Sequence, residues 1–187
     1  NPPKAARTTT YVRGSIVVSG VDLSKWDKLV LQKRVGVFLN DVRTECDYAS
    51  LMSGCTIDEI LEPVPAGNGH NIGPKERNAV ILAMKITGLG SKLLPRLPSK
   101  LSTVVTANED ELKPSPLRPP SYPLSPADWN RVILTKVLAQ LILGNENQLS
   151  SPGIIRKCLI GSILLLDDAT SQMSEVDEAN MISALRS

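Results

Sequence analysis

The amino-acid sequence predicts an α+β fold that is predominantly helical, with short N-terminal strands and a compact helical C-terminal half. Three features support this class: a Thr- and Val-rich segment near the N-terminus, apolar residues spaced by three and four in later segments, and helix-start signals in the second half. The 187 residues are 42% hydrophobic and 21% charged, which is the composition of a globular protein.

The chain divides by composition into three portions. Residues 1–113 form a basic α/β portion, residues 114–126 carry six prolines, and residues 127–187 form a helical portion. The prolines predict an extended or polyproline connector. Because 187 residues is a usual size for a single domain, we expect the three portions to form one continuous domain.

The N-terminal portion begins with a predicted strand and a predicted helix. Residues 8–19 are rich in Thr, Tyr, Val and Ile and therefore predict a strand. Residues 25–52 place Leu31 and Phe38 on one helical face and predict a long helix, although the alternation over residues 35–37 leaves a strand possible in its first half.

Two further elements are predicted before the connector. Pro74 fits the first position of a helix over residues 75–86, which Gly88 and Gly90 should end. Residues 100–107 predict a second short strand.

The C-terminal portion carries three helix signals. Ser125, Pro126 and Asp128 predict a helix start before residues 129–143. Residues 154–166 are apolar on most sides and predict a central helix. Ser174 predicts the cap of a short last helix.

Charge is unevenly distributed along the chain. Residues 1–108 contain 14 basic and 9 acidic residues, a net charge of +5, whereas residues 109–187 contain 7 basic and 10 acidic residues, a net charge of −3. Such polarity suits a phosphate-bearing partner or head-to-tail association of copies, and it also suits two ordinary solvated surfaces. The predicted phosphate-binding residues are Lys85, Lys92, Arg96 and Lys100, joined by Arg7 and Arg13 of the N-terminal arm.

The connector contains a possible ligand motif. Pro119-Pro120-Ser121-Tyr122 matches the PPxY ligand of WW domains, in which a preformed polyproline helix enters an aromatic groove. The structural alternative is a linker whose Tyr122 packs on the domain.

Cysteine and histidine usage argues against metal chemistry. The three cysteines, Cys46, Cys55 and Cys158, lack metal-ligand spacing, and their odd number favours a reducing, cytoplasmic compartment. His70 is the only histidine. We therefore expect no cofactor and no metal. We also expect no transmembrane segment, because the longest apolar stretch, residues 153–166, is too short to span a bilayer.

Residues 162–171 resemble the Walker B stretch of ABC-type ATPases, in which a hydrophobic strand ends in an acid that orders magnesium. The sequence contains no Walker A motif to hold the nucleotide phosphates. The segment is therefore interpreted as part of the central helix.

These observations favour a non-enzymatic structural or assembly protein of the nucleocapsid or matrix kind, a homo-oligomer that binds nucleic-acid phosphate or an anionic surface. Its viral, virion-associated character is an analogy. The first alternative is a cellular adaptor that binds a WW-domain partner through Pro119, Pro120 and Tyr122. The second is a hydrolase that uses His70 or Asp167.

Overall fold

The computed structural model describes residues 14–18, 20–39, 52–62, 73–106, 121–144, 159, 162–170 and 172–186. The helices in these ranges are α1 (Lys28–Arg34), α2 (Ile57–Leu61), α3 (Pro74–Thr87), α4 (Pro126–Gly144) and α5 (Glu175–Arg186). The strands are β1 (Val17–Val18), β2 (Val21–Asp22), β3 (Val35–Leu39), β4 (Val104–Thr106), β5 (Ser121–Pro123) and β6 (Ile163–Asp167). The predicted α+β, mostly helical class is confirmed.

Helix α3 begins and ends where the local signals predict. Pro74 occupies its first turn, where a missing N–H costs no hydrogen bond. Gly88 ends the helix in the left-handed conformation, with φ of 71°, which a residue with a Cβ adopts only at an energetic cost.

Helix α4 starts at the predicted capping residues. The Ser125 hydroxyl oxygen accepts a hydrogen bond from the Asp128 N–H at 3.3 Å and donates one to the Asp128 carboxylate at 2.7 Å. The helix is 19 residues long and ends at Gly144, as expected.

The core lies between α3 and α4. Apolar side chains of both helices are fully buried, including Ala79 and Ala83 of α3 and Leu134 and Leu138 of α4. The buried hydroxyl oxygens of Thr87 and Thr135 lie 2.7 Å apart across this interface, where one hydroxyl donates to the other, and the hydroxyl that accepts this bond donates its own hydrogen to a carbonyl of its own helix. Helix α2 packs on α4, and α5 packs on α3.

Each described strand belongs to a two-stranded sheet. Strands β1 and β2 are antiparallel, and β4 and β5 are parallel with Val105 beside Tyr122. Strands β3 and β6 are parallel in a register that runs from Val35 beside Ile163 to Leu39 beside Asp167.

Where β6 forms the predicted helix is wrong, and where β3 forms the strand alternative left open for residues 35–37 is the one observed. The helix predicted over residues 25–52 ends at Arg34 as α1 and is followed by β3, and residues 40–51 lie outside the described residues. The helix predicted over residues 154–166 contains the first part of β6. The physical reason is the parallel pairing of two segments that are far apart in sequence, which overrides local helical spacing.

Smaller differences concern the predicted strands. Of residues 8–19, only Val17–Val18 form a described strand, and residues 8–13 lie outside the described residues. Residues 100–107 begin with a 3-10 turn, Lys100–Ser102, before β4. Helix α2 was not predicted, although Thr56 and Glu59 form a complete capping box that the sequence contains.

The three predicted portions share structural elements. Strand β6, from the portion predicted to be helical, pairs with β3 of the basic portion, and β5 of the connector pairs with β4. Among the described helices, none combines the length and apolar character that crossing a membrane requires.

Candidate functional site

Residues 14–30 form an N-terminal arm that contains many apolar residues, most of them exposed to solvent. It contains the β1–β2 ribbon, a 3-10 turn (Leu23–Lys25) and the start of α1. Asp22 and Asp27 cap its two helical turns by accepting hydrogen bonds from the Ser24 and Leu29 N–H groups at 2.9 and 2.7 Å. None of the arm side chains whose burial is described is buried. Caps therefore hold the two helical turns of the arm, while Leu23 and Trp26 are half-buried and most of its other apolar side chains are exposed.

Exposed large apolar side chains concentrate in the arm and in the β3–β6 sheet. Ten such side chains are exposed among the described residues, and eight of them lie in these two places. The five in the arm are Ile16, Val17, Val21, Leu29 and Val30, and the three in the sheet are Val37, Leu165 and Leu166. Such a concentration is typical of an interaction surface, whereas scattered single residues need no explanation.

One face of the β3–β6 sheet packs on α4. Phe38 is buried there, and Gly36 approaches α4 so closely that a Cβ would lie 2.7 Å from Leu141 Cδ1 and 2.8 Å from Val137 Cγ1. Glycine is therefore needed at position 36 for the sheet to seat on the helix.

The opposite face of the sheet is open. We call it the outer sheet face and define it by the alternate residues Val35, Val37, Ile163 and Leu165. Val37 and Leu165 are register partners and are 45% and 53% exposed, while Val35 and Ile163 are half-buried. At the end of β6, the outer face reaches the exposed carboxylates of Asp167 and Asp168.

The predicted phosphate-binding residues Lys85, Lys92, Arg96 and Lys100 are all exposed. Lys85 lies in the last turn of α3, and the other three follow in short helical turns that start after Gly88. The Arg96 Nε donates to the Lys92 carbonyl at 2.9 Å, so these two residues are neighbours.

Two of these four cations pair with acids of the same molecule. The Lys92 ammonium lies 3.3 Å from an Asp177 carboxylate oxygen of α5, and the Arg96 guanidinium pairs with Asp128 of α4. The Lys92 and Arg96 side chains nevertheless remain 54% and 51% exposed. Among the described residues, Lys85 and Lys100 form no such ion pair.

Asp177 joins α5 to the core through a second, better buried cation. The Arg131 Nη2 atom donates to Asp177 Oδ2 at 2.6 Å, and only 7% of the Arg131 side chain is exposed. The hydrogen bond from Arg131 is the main cause that lowers the pKa of Asp177, and the Lys92 ammonium lowers this pKa further.

Tyr122 of the PPxY motif lies in strand β5. It pairs in register with Val105 and packs, half-buried, against the hydrophobic core. Pro119 and Pro120 lie outside the described residues, as do Arg7 and Arg13. Capture of Tyr122 by an aromatic groove would require β5 to leave β4.

Only some of the candidate metal-binding and catalytic residues lie in the described ranges. Within the described ranges, no three His, Cys, Asp or Glu side chains are close enough to hold a metal ion. His70, Cys46 and Cys158 lie outside those ranges, and Cys55 is a half-buried free thiol. The segment that resembles Walker B is a strand ending in Asp167, which agrees with the resemblance and not with the predicted helix. The absence of a cofactor or metal remains a prediction.

Comparison with known protein families finds no match to this chain, and comparison with curated proteins finds none either. The geometry described above is therefore the basis on which a function is proposed.

The outer sheet face was not predicted from the sequence. Both of its strands fall in segments that were interpreted as helical, so their apolar residues were assigned to a core. The alternation of Val35, Gly36, Val37 and Phe38 was the available signal.

Proposed function

We propose that this chain is a non-enzymatic assembly subunit that self-associates and, in the assembled state, binds nucleic-acid phosphate or another anionic surface. The observation that supports it most is the arm, in which five large apolar side chains are exposed although the same residue types fill the core. Exposed apolar surface of this kind is stabilised when a second molecule covers it.

The arm is too short to cover itself. Its strands are two residues long, and a two-stranded ribbon of any length is only marginally stable by itself in water. The seven residues of α1 are likewise fewer than an isolated helix needs. An arm of this kind gains most from a surface supplied by a neighbouring copy.

Phosphate binding is the second part of the proposal. Lys85 in the last turn of α3 and Lys100 in the 3-10 turn Lys100–Ser102 are exposed cations, and Lys92 and Arg96 keep half of their side chains in solvent. The ion pairs with Asp177 and Asp128 reduce what Lys92 and Arg96 contribute, because each must share its charge with an acid of the same molecule. We therefore expect a weak, salt-sensitive affinity with little sequence preference.

Self-association is tested by sedimentation velocity across a wide concentration range. We expect the mean mass to rise with concentration. Changing Val17→Ser together with Leu29→Ser in the arm should raise the dissociation constant by about tenfold or more, because the burial of two large apolar side chains is lost.

The matched control changes two exposed apolar residues outside the arm, Ile81→Ser and Val176→Ser. This control should associate like the unchanged protein. A mass that stays monomeric at every concentration would contradict the proposal, and so would equal weakening by the arm and control variants.

Phosphate binding is tested by fluorescence anisotropy with a short single-stranded RNA at several salt concentrations. Lys85→Gln and Lys100→Asn should each weaken binding and reduce the salt dependence by about one phosphate contact. Asn suits position 100 because Lys100 has a positive φ of 50°. Arg186→Gln, an exposed cation outside the predicted set, is the control. Absence of binding at low salt would remove this part of the proposal.

The alternatives receive less support from the geometry. Adaptor binding through Tyr122 would require loss of its packing against the core. For a hydrolase, Asp167 offers an exposed carboxylate at the end of β6, and His70 lies outside the described residues.

A further inference from the structure

We infer that the outer sheet face of one copy binds the N-terminal arm of a second copy. This inference rests on the proposed self-association and names the surface that receives the arm. The occupant is thus residues 14–30 of another molecule of the same chain.

A parallel sheet is normally covered on both faces. Helix α4 covers one face of the β3–β6 sheet through Phe38 and the close approach at Gly36. On the other face, Val37 and Leu165 lie side by side and remain about half exposed. A cover for this face is therefore missing from the described part of a single copy.

The end of the arm and the outer sheet face also differ in charge. Residues 25–34, which end the arm and complete α1, surround the exposed Leu29 and Val30 with four basic residues and one acidic residue, a net charge of +3, whereas the rest of the arm carries only the acid Asp22. Residues 162–170 contain the acids Asp167 and Asp168 and no basic residue. The arm therefore offers apolar side chains flanked by lysines, and the sheet offers apolar side chains flanked by carboxylates.

The arm is attached to its own molecule through α1. Helix α1 leads directly into β3 and contacts α4, the helix that covers the inner face of the sheet. The arm thus starts from the α4 side of the sheet. The outer face lies on the side of the sheet opposite α4, where a second copy can approach it.

The inference is tested by photo-cross-linking between isotopically distinct copies. A benzophenone amino acid replaces Leu165 in unlabelled protein, which is mixed with unsubstituted ¹⁵N-labelled protein and irradiated. We expect cross-linked peptides that contain ¹⁵N-labelled residues 14–34. The same probe at Val176, which is also exposed, should not give them. Cross-links only to the arm of the same copy, or only to peptides outside the arm, would overturn the inference.

A thermodynamic test separates this inference from the proposed function. Leu165→Thr and Val37→Thr introduce a residue that favours strands but make the outer sheet face smaller or more polar. Each should therefore raise the dissociation constant of self-association by about tenfold. Combining either with Val17→Ser should add little, because both changes act on one contact. Unchanged circular dichroism spectra would show that the fold is kept.

The outcomes are distinguishable. If the arm variants weaken association and the sheet variants do not, self-association stands and the arm binds elsewhere. If neither set weakens it, both the inference and the arm's role in the proposed function fail.

Raising the salt concentration should weaken association, and Asp167→Asn should weaken it at low salt and reduce that salt dependence.

Discussion

The α3–α4 core and the N-terminal arm use the same residue types with opposite results. In the core, Leu, Ile, Val and Ala are buried, and the hydroxyls of Thr87 and Thr135 meet each other across the interface. In the arm, Ile16, Val17 and Leu29 face solvent. Composition therefore does not decide burial in this chain. Position in the fold does, because α3 and α4 bury a face against each other and the five-residue α2 buries Ile57, Ile60 and Leu61 where it packs on α4, whereas the longer α1 leaves Leu29 and Val30 exposed.

The largest effect expected from this contrast comes from matched leucine truncations. Leu138→Ala removes a fully buried side chain of α4 and should lower the free energy of unfolding by about 2–5 kcal/mol, since it leaves a cavity. Leu29→Ala, at a site that is 66% exposed, should change it by less than about 0.5 kcal/mol. Urea unfolding at concentrations where the protein is monomeric measures both values.

Equal losses of unfolding free energy in Leu138→Ala and Leu29→Ala would contradict the proposed difference between the core and the arm. That result would mean that the arm is packed within a single copy, and the self-association proposed above would lose its main support.

A second prediction probes the contact between the sheet and α4. Gly36→Ala places a methyl group within 3.0 Å of Leu141 and Val137, so it should destabilise the protein by about 2–3 kcal/mol through overpacking. Gly90→Ala is the control, because its nearest neighbour would lie 3.9 Å away at Met84 Cε. Thermal unfolding should show a lower Tm for the first variant and little change for the second. A neutral Gly36→Ala would indicate that the sheet is not seated on α4.

The sequence predicts the helices of the core because their signals are local. Pro74, Gly88, Ser125 and Ser174 act within one turn of their own position, through a preset φ, a left-handed cap or a capping hydroxyl. These signals do not depend on distant parts of the chain. The capping box at Thr56 and Glu59 is equally local and predicts α2 when it is read.

The sheet and the pairing of the basic residues could not be predicted in the same way. Strand β3 meets its partner β6 more than a hundred residues later, and the apolar spacing around Leu31 and Phe38 fits a helix as well as a strand. Lys92 and Arg96 are recognisable as cations in the sequence. Their partners Asp177 and Asp128 come from α5 and α4, and only the packing of those helices brings them together.

The smallest predicted effect compares two carboxylates, one beside the core and one in the arm. Asp177→Asn removes the charge that pairs with Arg131 and Lys92 and should cost about 1–2 kcal/mol at neutral pH, between the values of exposed and buried ion pairs. Asp22→Asn should cost less, because Asp22 is only half-buried in the arm and Asn caps a helical turn nearly as well as Asp.

The pH dependence of the Asp177 effect follows from the sign of its pKa shift. The hydrogen bond from Arg131 lowers the pKa of Asp177 in the folded protein below the ordinary Asp value of about 3.9. A carboxyl with a lowered pKa stabilises the folded state fully above its unfolded pKa, and this contribution is lost as the pH falls through the folded pKa. The difference in unfolding free energy between the unchanged protein and Asp177→Asn should therefore be constant from about pH 5 to 7 and shrink below about pH 4. Urea titrations at several pH values measure it, and a difference that stays constant down to pH 2 would show that Asp177 does not hold α5 to the core through its charge.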